Sequence, residues 1–140
     1  MFAGLGLEGV GIMAGLSPTQ RTLKEFRKMG RIAGSVEKFN PHVGEHGIRQ
    51  DLFGFIDLIV ICPEKGIIAV QSCGQDFAGH ARKLREERNE AVFEWLAHAP
   101  LELWGWRKVK LNRGGKAMRW RPRIADVVLQ REQVEVIERK

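Results

Sequence analysis

An aspartate at position 57 stands inside an apolar, β-branched run, Asp51-Leu-Phe-Gly-Phe-Ile-Asp57-Leu-Ile-Val-Ile-Cys62. A carboxylate is costly to bury without a partner, so an acid in a core strand points to a site. The second run, Gly66-Ile-Ile-Ala-Val-Gln71-Ser-Cys73, follows a Pro-containing turn, and the two runs read as a β-hairpin. Side chains alternate along a strand, and a connection from Cys62 to Gly66 sets the register that places Asp57 opposite Gln71. Ile56, Leu58 and Val60 then share a core face with Ile68 and Val70. A second chemical feature lies further on. Between Arg107 and Arg123 stand Arg107, Lys108, Lys110, Arg113, Lys116, Arg119, Arg121 and Arg123, with no acid among them and with Trp106 and Trp120 interleaved. Such a cluster is the electrostatic footprint of a protein that contacts phosphates.

The elements that must position these residues can be read from periodicity and turn chemistry. Ser17-Pro18 opens a helix with an inner stripe of Leu23, Phe26 and Met29, and Gly30 stops it. A strand is predicted over 31–39 and a polar loop over 41–50, with His42 and His46 in the loop. After the hairpin, Asp76 caps a long helix predicted over 77–98, which Pro100 closes. Strands over 101–111 and 120–129 flank the turn Asn112-Arg-Gly-Gly115. The last segment, 131–140, is charged and reads as a short helix or a tail. The expected class is α/β, a mixed central sheet flanked by helices. The expected organisation is a flexible apolar, glycine-rich extension (1–16), one domain (17–130) and the charged C-terminal segment.

Composition agrees with one globular domain. The chain has 140 residues, 44% hydrophobic and 29% charged, with a formal net charge of +6. Its two cysteines, Cys62 and Cys73, sit on the hairpin strands and form no disulfide framework, which fits a reducing, cytoplasmic setting. The apolar first sixteen residues lack a basic lead-in and a cleavage pattern, and are too short for a membrane span. They contain Gly-x-Gly-x-x-Gly from Gly4, but no strand precedes it, so a dinucleotide site is not expected.

Taken as an ordered set, these residues resemble the PD-(D/E)XK, or restriction-endonuclease-like, nucleases. The resemblance spans roughly residues 17–106. It implies a core of helix, strand, strand, strand, helix and strand, with Asp57 as the family's Asp and Gln71-Ser-Cys73 where Glu-x-Lys stands. Gln20-Arg21 is similar to the Glu-Arg pair on the first helix of small Holliday-junction resolvases, and the chain also resembles small phage and bacterial proteins with Asp-Leu-Phe-Gly-Phe-x-Asp followed by Ala-Val-Gln. The resemblance implies Mg2+ or Mn2+ held by Asp57 and Gln71, a catalytic set of Asp57, Gln71, Gln20, Cys73 and Lys83, and phosphodiester hydrolysis, in a structure-selective way in some relatives. DNA would be met by Arg21, His80, Arg107, Lys108, Lys110, Arg113 and Lys116. A homodimer is among the expected assemblies.

The departures from the family pattern define the alternatives. Amide oxygens at Gln20 and Gln71 attract a cation less than carboxylates do, and a thiol at Cys73 is mostly neutral at pH 7. Asp51, Glu37, His80 and Lys83 are the candidates to supply the missing charge, His80 and Lys83 lying one turn apart on the predicted helix. Otherwise the chain is an inactive nucleic-acid-binding module, or an accessory protein of a phage or mobile element that docks a protein partner through Trp104 and Trp106. Residue by residue, Asp57 can instead pair with Arg21, Gln71 can bond a neighbouring loop, Cys73 can be packing, and the two tryptophans can be core.

Overall fold

A computed structural model describes residues 15–87 and 89–140. The glycine-rich extension and its Gly-x-Gly-x-x-Gly pattern, apart from its last two residues, lie outside the described residues. Helix α1 (Pro18–Lys28) is followed by strands β1 (Ile32–Ser35), β2 (Lys38–Asn40), β3 (Ile48–Gln50), β4 (Leu58–Cys62) and β5 (Gly66–Cys73). Helices α2 (Phe77–Glu86) and α3 (Asn89–Leu96) precede β6 (Leu101–Lys110), β7 (Met118–Gln130) and β8 (Gln133–Glu138). Six strands form one sheet in the order β1-β4-β5-β6-β7-β8, and β2 and β3 pair separately. Only the β5–β6 pair of the large sheet is parallel, so α2 and α3 form the crossover between them. The fold is mixed α/β.

Both faces of the sheet are covered. On one face Leu58, Val60, Ile68, Val70, Trp104 and Trp106 pack beneath Phe26 of α1. On the other, Ala69, Cys73, Leu101, Leu103, Ala125 and Val127 pack with Phe77, Ala81 and Leu84 of α2 and Val92 of α3. A sheet covered twice explains why β4 and β5 read as continuous apolar runs rather than alternating ones.

The hairpin register is the expected one: Leu58 pairs with Val70 and Cys62 with Gly66, whose φ of 83° suits glycine at the turn. Ile56 departs from expectation and joins the α2 face with Phe55. The cause is a tight turn upstream, where Leu52 bridges Ile56 and Phe53 and Gly54 take φ of 56° and 83°.

Helix α1 starts as expected, with Ser17 and Gln20 forming a reciprocal capping box and Pro18 in the first turn. Its inward stripe is the expected one only in part, with Phe26 in the core and Leu23 packed against it. Thr19, Thr22 and Phe26 are buried, whereas Met29 is 52% exposed. The long helix predicted over 77–98 is two helices meeting near Glu87, because no apolar residue lies between Leu84 and Ala91 to hold a continuous helix on the sheet. The expected helix or tail after residue 130 is the edge strand β8, whose Val134 is 4% exposed. The single strand predicted over 31–39 is divided between β1 and β2.

Candidate metal centre

Asp57 does not sit mid-strand but immediately before β4, and its backbone is held on both sides. Its N–H donates to the Val70 carbonyl at 2.9 Å, and its carbonyl accepts from the Val36 N–H at 2.9 Å. Its Oδ2 accepts from the Ser72 N–H at 2.7 Å, and the residue is 3% exposed. The chain before it brings two further acids to it. Glu37 comes from the segment between β1 and β2, and Asp51 from the segment just after β3. Ligand oxygens of Glu37, Asp51 and Asp57 all lie within 4.8 Å of one another, so the three are placed to hold a metal ion.

Burial, followed by a hydrogen bond from Asp51, pushes the Asp57 carboxyl up to about 9. An all-carboxylate donor set fits a hard divalent ion, which favours oxygen ligands. Thus Glu37 and Asp51, considered from the sequence only as sources of extra charge, join Asp57, while the other expected ligand is committed elsewhere. Gln71 is 6% exposed, its Nε2 donates to the Phe55 carbonyl at 3.0 Å, and its Oε1 faces His80 Nδ1 at 3.3 Å.

This chain of bonds assigns a tautomer. Because the Gln71 amide nitrogen donates to Phe55, its oxygen must accept, so His80 carries its proton on Nδ1. The free Nε2 is then a base, and burial followed by the charge of Lys83 lowers the His80 pKa, keeping the ring neutral at pH 7. Lys83 itself is exposed one turn along α2.

Cys73 is 4% exposed beside Gly105 and Phe77. Burial, with Asp76 and Asp57 adding to it, pushes its thiol up to about 12, so it is a neutral packing group rather than a nucleophile. Gln20 does not turn inward. It is exposed, and its side-chain oxygen accepts from the Ser17 N–H at 2.9 Å. The α1 residue that reaches the hairpin is Thr22, two positions on and fully buried. Its hydroxyl donates to the Pro18 carbonyl and accepts from Ser72 Oγ and Trp106 Nε1, both at 2.8 Å. Ser72 therefore links α1 to Asp57, by its hydroxyl on one side and its N–H on the other. Sequence gave little sign of this, since threonine reads as a polar surface residue on a helix.

Arg21 makes no approach to Asp57 through an ion pair; its guanidinium stacks 3.8 Å over the Trp120 ring. Trp104 and Trp106, 1% and 5% exposed, are core, so they cannot anchor a protein partner. His42 and His46 are exposed, and Arg107, Lys108, Lys110, Arg113 and Lys116 all face solvent on the β6–β7 hairpin.

Comparison with protein-family models, with curated proteins and with solved structures finds no match. Among the described residues no helix is long and apolar enough to cross a membrane.

Proposed function

We propose that the chain is a DNA-binding protein of nuclease fold that hydrolyses phosphodiester bonds with a divalent cation, Mg2+ or Mn2+, held by Glu37, Asp51 and Asp57. The observation that carries this reading is the convergence of two carboxylates, Glu37 and Asp51, on a third, Asp57, that is almost wholly buried. The order helix, strand, hairpin, helix, strand, with β1, β4 and β5 antiparallel and β6 parallel to β5, supports the resemblance to the restriction-endonuclease-like core. The insertion of β2 and β3 carries Asp51 and the close of the turn that presents Asp57.

When bound, such a cation acidifies a water and neutralises phosphate charge. The chain's own residues supply the rest. His80 Nε2 is a neutral acceptor for a proton from water, and Gln71 is a positioning residue that fixes its tautomer. The Arg107–Arg121 pair continues the same face of the sheet. Side chains alternate, so Gln71 and Cys73 share a face with Leu103 and Gly105 beside them, and then with Arg123, Arg107 and Arg121 across β6 and β7. Arg123 lies 4.2 Å over the Phe77 ring on that side. A substrate phosphate path from the acids to these arginines follows.

A second reading is favoured by one observation. The position where the family has lysine holds a buried, neutral Cys73, and Arg123 across the sheet is paired with Glu138. On this reading the chain binds DNA and leaves it intact. Incubation with duplex, single-stranded and branched DNA decides between them. Cleavage that requires added Mg2+ or Mn2+ and is lost in Asp57→Asn is the expected result. Binding without cleavage under every metal condition would leave a binding module.

A further inference from the structure

The basic run between Arg107 and Arg123 is continuous in sequence but split in space, and the split assigns it two jobs. Arg107, Arg121 and Arg123 belong to the α2 face with the acids. Trp104 and Trp106 pack beneath α1, so by alternation Lys108 and Lys110 lie on the α1 face. Opposite them on β7 stand Trp120, paired with Lys108, and Met118, paired with Lys110. Trp120 is 40% exposed at the centre of this second surface.

Two cations already sit over its indole, the Arg21 guanidinium at 3.8 Å and Lys108 Nζ at 5.4 Å from the ring centroid. Arg21 also joins Lys24 and Lys28 of α1 along a cleft of about 180 Å³ that includes Trp106 and a single acid, Glu25. The surface therefore combines a part-exposed indole, on which Arg21 already stacks, with positive charge from two elements around it. Phosphate binding alone would need only the charges. A large aromatic ring exposed among them adds a platform that fits the face of a nucleobase, and a base is free to stack only when it is unpaired.

We propose that the α1 face of the β6–β7 hairpin, centred on Trp120, binds a strand of nucleic acid with unpaired bases, separately from the arginines on the acid-bearing face. The proposal deepens the DNA-binding reading and rests on it, but it requires neither a bound metal nor hydrolysis.

The test uses the full chain in the presence of chelator, with fluorescence anisotropy of a labelled oligothymidylate and of a labelled blunt duplex. Trp120→Ala is expected to weaken oligothymidylate binding about tenfold, as loss of one base–aromatic stack does, with a much smaller effect on the duplex. Trp120→Phe should restore most of the loss, which separates stacking from a folding defect. Arg107→Ala with Arg121→Ala on the other face should weaken the duplex and flatten its salt dependence, because fewer phosphates are neutralised. Oligothymidylate affinity unchanged in Trp120→Ala, or lost in equal measure with duplex affinity, overturns the proposal while duplex binding by the wild type preserves the DNA reading. A wild type that binds neither probe overturns both.

Discussion

Asp57→Asn is expected to stabilise the metal-free protein at pH 8 while removing its response to divalent metal. In the folded protein the Asp57 carboxyl is raised from its ordinary value of 3.8 to about 9. Between those values the folded state keeps a proton that the unfolded chain has released. The folded protein then binds more protons, so stability is fully present below about pH 4 and is lost as pH rises toward 9. Asparagine imitates the protonated acid, accepting from the Ser72 N–H and donating to Asp51, without the cost of the retained proton. The expected gain is on the order of 3 kcal/mol at pH 8 and nothing near pH 4. Chemical denaturation of both proteins in chelator at the two pH values checks it. Equal stability at pH 8 would show that Asp57 is ionised and compensated in the folded state.

Removal of residues 131–140 is expected to unfold the protein or leave it open to proteolysis. The segment contains β8, and its loss uncovers β7 from Ala125 to Gln130 and exposes the pocket filled by Val134. It also removes Arg139, which holds the 4%-exposed Glu102 at 2.9 Å and Asp126 at 2.6 Å, and Glu138, which pairs with Arg123 at 2.8 Å. Glu102 would keep only Lys65, at 3.6 Å, and the Trp104 indole N–H, at 2.9 Å. Leaving a buried acid short of its partner is among the larger single losses a fold meets. Arg139→Ala alone should cost about 2 kcal/mol, less than a fully buried pair because the guanidinium is partly solvated. Circular dichroism and thermal melting of the truncated chain measure the effect. A truncated protein melting with wild-type cooperativity and midpoint would make the segment the tail that its charge suggests.

That segment shows what was legible in the sequence and what was not. Gln133-Val-Glu-Val-Ile-Glu138 alternates as a strand does, but the alternation is short and its charges dominate. The hairpin and the caps of α1 were plain, because their signals are local: β-branched runs around a turn, and Ser-Pro before an apolar stripe. The inward face of α1 was hidden because Thr19 and Thr22 carry its packing, with the Thr22 hydroxyl fully bonded and so able to be buried. Glu37 and Asp51 could be named as sources of charge, but their convergence on Asp57 depends on the small β2–β3 sheet and the turn at Phe53, which no local pattern reveals. The positions of Gln71 and Cys73 along β5 follow from the local pattern, yet their partners, Phe55 and His80 for one and Phe77 and Gly105 for the other, come from distant segments. The basic run was visible at once, but its division between two faces follows only from the pairing of β6 with β7.

Glu37, Asp51 and Asp57 are expected to act together as one divalent-cation site. Titration of Mn2+ into the wild type and Asp57→Asn, followed by the loss of free-ion electron paramagnetic resonance signal at pH 6 and pH 8, tests it directly. Saturable binding by the wild type that strengthens from pH 6 to pH 8, as the Asp57 proton must leave to admit the ion, is expected, with no saturable binding by the variant. Wild-type and variant curves that coincide at both pH values would contradict it.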